Sequence, residues 1–158
     1  MTFIKTLKLL LLIVIANICE SFITPQLLEF YIHLPITFLL FCLFLYNSKK
    51  NINPIYVLLI GLFVDIISDV PLGLNSVLFC LVAYLINSYS NTFKLFSFFQ
   101  ICLFFSISSV FYTGFTQIFM NLENFSYILL LISFLFNTFL FIIIYIARSN
   151  FLPLVKLK

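Results

Sequence analysis

The sequence predicts an all-α integral membrane protein with six transmembrane helices and with both termini in the cytoplasm. Hydrophobic residues make up 64% of the 158 residues, charged residues only 8%, and the mean hydropathy is +1.25. Soluble domains carry about 25% charged residues, so this chain has too little polar surface for a water-soluble fold. Six apolar runs give the number of spans, and the distribution of Lys and Arg gives their direction.

The six apolar runs approach the roughly 17–25 residues that a helix needs to cross a bilayer. The third run is short, whereas the fifth is long enough to tilt or to extend past the membrane face. Because the runs fill most of the chain, we expect one transmembrane domain over residues 1–158. The spans are predicted at about 6–23, 31–47, 54–69, 71–88, 94–120 and 126–147.

The first run resembles a secretory signal peptide, because Lys5 and Lys8 precede an apolar stretch from Leu9 to Ile15. The small-residue cleavage site of such a signal does not follow, so we expect a retained first span. The second run begins near His33 and Pro35, where we expect His33 to lie at the membrane interface rather than to bind a ligand.

The third and fourth runs are predicted to form a helical hairpin that turns near the outer membrane face. Pro54 suits the first turn of the third helix. Gly61, Asp65, Ser68 and Asp69 share one face of that helix, with Asp65 semi-buried and Asp69 interfacial. Gly61 leaves room for a neighbouring backbone.

The turn itself contains four residues with expected structural roles. Asp69 is placed to cap the fourth helix by accepting backbone N–H bonds, and Pro71 fits the first turn of that helix. Gly73 would permit close helix approach, and Asn75 could hydrogen-bond across the turn.

Asp65 is open to two interpretations. It either accepts hydrogen bonds from the hairpin turn, or it acts as a polar anchor for a partner or ligand or as a proton-carrying group. Glu20, near the outer end of the first span, is the nearest second acid. A packed contact between the two carboxylates would require them to share a proton or would raise the pKa of one of them.

The fifth and sixth runs carry polar residues typical of contacts between membrane helices. In the sixth run, Asn137 and Thr138 are predicted to bond to another helix. In the fifth run, a hydroxyl-rich stretch of small residues predicts a helix–helix contact, with a ligand pocket as the alternative: Ser106, Ser108, Ser109, Thr113, Gly114 and Thr116.

The direction of the spans follows from the retention of Lys and Arg on the cytoplasmic side. With the N-terminus inside, all eight basic residues are predicted to face the cytoplasm: Lys5, Lys8, Lys49, Lys50, Lys94, Arg148, Lys156 and Lys158. The opposite connections carry no Lys or Arg, and their acidic residues and histidine are Glu29, His33, Asp69 and Glu123.

Composition also excludes several function classes. The net charge of +3 is too small and too scattered for nucleic-acid binding. The four cysteines lie in separate apolar runs without metal-ligand spacing, so we expect buried free thiols: Cys19, Cys42, Cys80 and Cys102. No nucleophile elbow, metal cluster or phosphate-binding loop is present, and we expect neither an enzyme nor a cofactor.

Three segments, Gly61-Leu-Phe-Val-Asp65, Pro71-Leu-Gly-Leu-Asn75 and Leu81-Val-Ala-Tyr84-Leu, resemble the signature of the bacterial rod shape-determining protein MreD family. The number of spans, chain length and position of the signature match as well. Asp69 departs from the pattern, because small residues such as Ser or Gly are more usual there. The resemblance also implies a fold similar to the six-helix substrate-binding subunits of energy-coupling-factor vitamin transporters.

The resemblance implies a non-enzymatic scaffold of the cell-wall elongation (rod) complex in the bacterial inner membrane. Such a subunit binds the transmembrane helix of MreC and works with MreB filaments and the elongation peptidoglycan synthases, surrounded by membrane lipids. The expected motif residues are Gly61, Asp65, Asp69, Pro71, Gly73, Asn75 and Tyr84. The alternative is a substrate-binding subunit of an energy-coupling-factor-type vitamin transporter; a channel or proton pathway is supported only by Asp65.

Overall fold

The computed structural model describes residues 3–48, 52–93, 95–120 and 125–151, and no strand occurs in these ranges. The prediction of an all-helical protein is therefore confirmed for this part of the chain. The helices are α1 (Phe3–Leu28), α2 (Ile36–Asn47), α3 (Pro54–Ile67), α4 (Leu74–Ser88), α5 (Ser90–Phe93), α6 (Phe98–Met120) and α7 (Tyr127–Phe151). The short α5 was not expected from the sequence.

Within the residues that the structure describes, two helical stretches are long and apolar enough to cross a membrane, Leu9–Leu28 and Phe99–Met120. Helices α2, α3 and α4 are shorter, with 12, 14 and 15 residues. At 1.5 Å per residue they extend only about 18–22 Å, less than the roughly 30 Å of a bilayer core. They are shorter than the predicted spans because residues 32–35 and 68–73 form connections rather than helical turns.

Local sequence explains where α3 begins. The Asn53 side chain accepts a hydrogen bond from the backbone N–H of Ile55 at 3.1 Å, and Pro54 occupies the first helical turn, as predicted. By contrast, α1 continues through Pro25 to Leu28, five residues beyond the predicted end of the first span.

The helices pack as consecutive hairpins, α1 with α2, α3 with α4, and α6 with α7. Helix α2 also contacts α4 and α6, which places it at the centre of the bundle. Its Phe38 and Phe41 are almost fully buried, and the Phe41 ring stacks on Phe79 of α4 with a centroid distance of 4.3 Å. This core fixes the α3–α4 hairpin against the other helices.

The bundle places polar side chains inside and many large apolar side chains outside. Buried polar residues include Asp65, Asn75, Ser106, Ser109, Thr113, Ser133 and Asn137. Among the exposed apolar residues, Phe22 of α1 is 73% exposed, Ile66 of α3 70% and Leu131 of α7 63%. Soluble monomers rarely expose extended apolar surface of this kind.

The hydroxyl-rich stretch of α6 lies at a helix–helix contact, as predicted. The Asn137 side-chain N–H of α7 donates to Ser109 Oγ of α6 at 2.9 Å. Thr138 is different, because its hydroxyl donates to the Phe134 carbonyl in its own helix. The prediction that Thr138 bonds to another helix is wrong, since a threonine hydroxyl can reach the carbonyl one turn earlier.

The predictions for the cysteines and for the direction of the spans have different outcomes. Cys42 and Cys102 are buried free thiols, as predicted, and Cys80 is half-buried. The prediction of burial is wrong for Cys19, because this residue lies on the exposed face of α1 with Ile15 and Phe22. The charge-based direction of the spans depends largely on residues outside the described part of the chain: Lys49, Lys50, Lys94, Glu123, Lys156 and Lys158. That direction stays a prediction.

Candidate functional site

The fully buried Asp65 carboxylate of α3 caps the N-terminus of α4. Its Oδ2 accepts hydrogen bonds from the Gly73 N–H at 2.8 Å and the Ser76 hydroxyl at 3.0 Å, and its Oδ1 accepts from the Asn75 N–H at 2.8 Å. A carboxylate is favoured at this end of a helix, where backbone N–H groups lack helical partners. The interpretation that Asp65 accepts hydrogen bonds from the hairpin turn is confirmed.

Asp69 does not cap α4, so that prediction is wrong. The residue preceding α4 is Gly73, and the carboxylate at this helix end comes from Asp65. Asp69 is exposed and has a φ of 52°, while the Val70 N–H donates to the Asp65 carbonyl at 3.3 Å. This is the left-handed C-terminal end of α3, a position that favours Gly, Asn or Asp. The backbone turn directs Asp69 away from α4.

Gly61 lies directly against the backbone of α4, as predicted. A Cβ at this position would overlap the Ser76 Cα and would lie 2.8 Å from the Ser76 nitrogen. The same serine bonds to Asp65, one turn along α3. A single face of α3 therefore provides both the closest approach to α4 and its cap.

Gly73 is required for its backbone conformation rather than for close packing. Its φ is 101°, and no atom lies within 4 Å of where a Cβ would be, so the expectation of close helix approach is wrong. The Leu74 N–H donates to the Pro71 carbonyl at 3.2 Å, closing a turn in which Gly73 is the third residue. Pro71 therefore begins the turn and lies three residues before α4. The prediction that Pro71 lies in the first turn of that helix is wrong.

Replacing Gly73 by alanine should lower the unfolding free energy by about 1–2 kcal/mol, because a Cβ is strained in the left-handed region. Gly73→Asn should lose less, since asparagine tolerates this conformation. The unfolding midpoint in detergent measures both variants. An alanine variant as stable as the wild type would contradict the conformational role.

Asn75 connects the hairpin to α6. Its side-chain oxygen accepts a hydrogen bond from the Tyr112 hydroxyl at 2.6 Å, and both residues are buried. The expected bond across the turn is made by the Asn75 backbone instead. Tyr112 was not identified from the sequence, although its position between Ser109 and Thr113 places it within the polar stretch of α6.

Glu20 of α1 performs for α2 the role that Asp65 performs for α4. Its Oε2 accepts a hydrogen bond from the Thr37 N–H at 2.8 Å, in the first turn of α2. The two acids therefore serve different helix ends, and a shared proton is not needed to explain either. Each of the first two hairpins is closed by a carboxylate from its own first helix.

His33 contacts two other helices, while its predicted position at the membrane interface stays a prediction. Its backbone N–H donates to Ser133 Oγ of α7 at 2.8 Å, and its Nδ1 lies 3.2 Å from Thr113 Oγ1 of α6. The connection between α1 and α2 is thus anchored to the α6–α7 pair.

Tyr84 is a motif residue whose side chain lies on the outside of the bundle. It is 70% exposed, on the same face of α4 as Val77 and Leu81, which are 56% and 39% exposed. Within the described residues, its hydroxyl forms no hydrogen bond.

A cavity of about 500 Å³ opens where α1, α3 and α6 end. We call it the α1–α3–α6 cavity. Its lining is Asn17, Glu20, Ser21, Thr24, Pro25, His33, Ile67, Ser68, Asp69, Val70, Tyr112, Thr116, Gln117 and Met120. The Asn17 side chain donates to Ser68 Oγ at 2.6 Å and joins two of its walls. The sequence singled out Glu20, His33 and Asp69 separately, but not their common location.

In its described ranges the chain is all-helical, with a carboxylate-capped hairpin and two helical stretches long and apolar enough to cross a membrane. Comparisons of the chain with protein-family models, with curated proteins and with solved structures find no match. A functional assignment therefore rests on the residues and geometry described above.

Proposed function

We propose that the chain is an MreD-like, six-span scaffold subunit of the bacterial cell-wall elongation complex. It lies in the inner membrane with both termini in the cytoplasm and binds the transmembrane helix of MreC. One observation carries the proposal: the residues of the resemblance build a single locked hairpin and leave Tyr84 exposed on its outer face.

The distribution of polar groups supports a multi-pass membrane location. Buried side chains such as Asp65 and Asn75 are held by hydrogen bonds within the bundle, whereas apolar residues on α1, α3 and α7 face outward. In lipid, polar groups must be satisfied internally, and apolar surface is tolerated outside. The short helices α2 to α4 would be matched by local thinning of the bilayer.

The hairpin is suited to a scaffold because it is fixed before a partner arrives. Asp65 bonds to α4 and Asn75 bonds to α6, so the outward face of α4 has little freedom to lose on binding. Association between membrane helices depends on close packing and a few polar contacts. The exposed face of Val77, Leu81 and Tyr84 offers both.

A non-enzymatic role is supported by the hydrogen bonds of Asp65 and Glu20. Asp65 accepts three hydrogen bonds, and Glu20 accepts one from the first turn of α2. Each carboxylate is thereby committed to a helix end, a structural role that needs no substrate.

Replacing Tyr84 by alanine should reduce co-purification with MreC and disturb rod shape, because it removes an exposed aromatic anchor from the proposed contact face. Stability should be unchanged, since the side chain packs little within the bundle. The matched control is Tyr127→Ala, because Tyr127 is 79% exposed but lies on α7.

Equal recovery of MreC with the Tyr84 and Tyr127 variants would reject the α4 face as the contact. Loss of MreC with both variants would instead indicate a general requirement for exposed tyrosines.

The second candidate function is a substrate-binding subunit of a vitamin transporter, favoured by the α1–α3–α6 cavity. Gene neighbourhood separates the two candidates. Adjacent genes for MreB and MreC support the scaffold, whereas adjacent genes for a pair of transport ATPases support the transporter.

A further inference from the structure

We propose that the α1–α3–α6 cavity binds a ligand through an ammonium group, carried either by a small free amine or by a lipid headgroup. The volume of about 500 Å³ lies within the roughly 300–1,000 Å³ of typical ligand pockets. The site goes beyond the scaffold function, and either candidate function is compatible with it.

The charged residues that line the cavity are acidic. Glu20 and Asp69 both line it, and its described lining contains no Lys or Arg. Glu20 uses Oε2 for the cap of α2, while Asp69 is exposed and makes no hydrogen bond within the described residues. An anionic ligand would meet two carboxylates, whereas a cation would be attracted by both.

Backbone geometry adds further negative potential. The cavity lies beside the C-terminal ends of α3 and α6, through Ile67 and Met120, and helix C-termini carry partial negative charge. Pro25 has no N–H, so the Ser21 carbonyl four residues earlier loses its usual helical donor. Both residues lie in the cavity wall.

One polar side chain in the cavity wall has an oxygen that accepts no hydrogen bond. The Gln117 Oε1 is buried without a hydrogen-bond partner, which is costly for a carbonyl oxygen. A rotation of this amide towards the cavity would let the oxygen accept an N–H bond from a ligand. The two carboxylates, the Ser21 carbonyl and the Gln117 amide oxygen are all acceptors, the set that an ammonium group requires.

The test uses the purified full chain in detergent, titrated with ethanolamine at constant ionic strength, with sodium acetate as the anion probe. Ethanolamine should raise the unfolding midpoint saturably, and acetate should not. In Asp69→Asn the half-saturating concentration should rise about fivefold, the effect of losing one exposed ion pair. The unliganded midpoint of this variant should match that of the wild type.

A second arm identifies a lipid source. The protein is reconstituted in phosphatidylglycerol nanodiscs with or without phosphatidylethanolamine, and native mass spectrometry measures the retained lipid. Selective retention of phosphatidylethanolamine by the wild type, reduced in Asp69→Asn, supports a headgroup ligand. A response to ethanolamine alone supports a free amine.

The proposal is overturned if neither ethanolamine nor phosphatidylethanolamine is bound, or if acetate raises the unfolding midpoint as strongly as ethanolamine. It is also overturned if Asp69→Asn and the wild type respond equally. Gln117→Leu provides a second variant, which should also weaken ethanolamine binding. Because recovery of MreC is a separate measurement, failure of the ammonium site leaves the scaffold proposal intact.

Discussion

Asp65→Ala should lower the unfolding free energy by about 3–5 kcal/mol, the largest effect expected for a single side chain in this molecule. The substitution removes the acceptor of the Gly73 N–H, the Asn75 N–H and the Ser76 hydroxyl. Because Asp65 is 0% exposed, water does not replace these bonds without opening the hairpin.

The matched control is Asp69→Ala, four residues further along the same turn. Asp69 is exposed and its side chain makes no hydrogen bond in the described part of the chain, so the expected loss is only that of alanine in a left-handed backbone, about 1 kcal/mol. A thiol-reactive dye can follow unfolding, because Cys42 and Cys102 are buried. Equal midpoints for the two alanine variants would contradict the capping role.

Asp65→Asn separates the charge from the shape of the cap. The amide keeps one acceptor oxygen but places an N–H₂ group opposite a backbone N–H donor. We therefore expect a loss close to that of the alanine variant. An Asp65→Asn protein with wild-type stability would show that the negative charge is not used.

The structural role of the hairpin was largely predictable because its residues are close in the chain. The spacing of Gly61 and Asp65 put them on one helix face, and the turn placed the next helix within their reach. The sequence did not show which of the two nearby acids, Asp65 or Asp69, caps α4. The left-handed backbone at Asp69 ends α3, and only the path of the chain shows that Asp65 is the acid that reaches α4.

Contacts between distant segments were not predictable from one sequence. Tyr112 and Asn75 are separated by 37 residues, and Glu20 and Thr37 by 17, with no local pattern to connect them. In an apolar chain, many helix faces are equally able to pack, so periodicity does not choose the partners. The α1–α3–α6 cavity depends on such contacts, and its location was missed for the same reason.

Gly61→Ala should destabilise the protein by about 2–3 kcal/mol, although alanine is the better helix former. The added Cβ would overlap the Ser76 Cα and approach its nitrogen. Because these are backbone atoms, a side-chain rotation cannot relieve the overlap, and α3 and α4 must move apart. That movement would also stretch the hydrogen bonds that Asp65 makes to α4.

The matched control is Gly114→Ala in α6. A Cβ there would lie 3.6 Å from the nearest atom, a flexible Leu130 methyl group, which is ordinary contact. Helix propensity should then dominate, and the variant should be as stable as the wild type or more stable by up to about 1 kcal/mol. Opposite signs for the two substitutions identify close helix approach as the cause.

A second substitution shows which atoms limit the approach at Gly61. Ser76→Ala removes the hydroxyl but keeps the backbone that the new Cβ would meet. We therefore expect Gly61→Ala to remain destabilising in the Ser76→Ala background, as measured by the dye-reported midpoint and a double-mutant cycle. Restored stability in the double variant would mean that the serine hydroxyl, rather than the α4 backbone, sets the helix spacing, and the hairpin would then be looser than the contacts of Gly61 indicate.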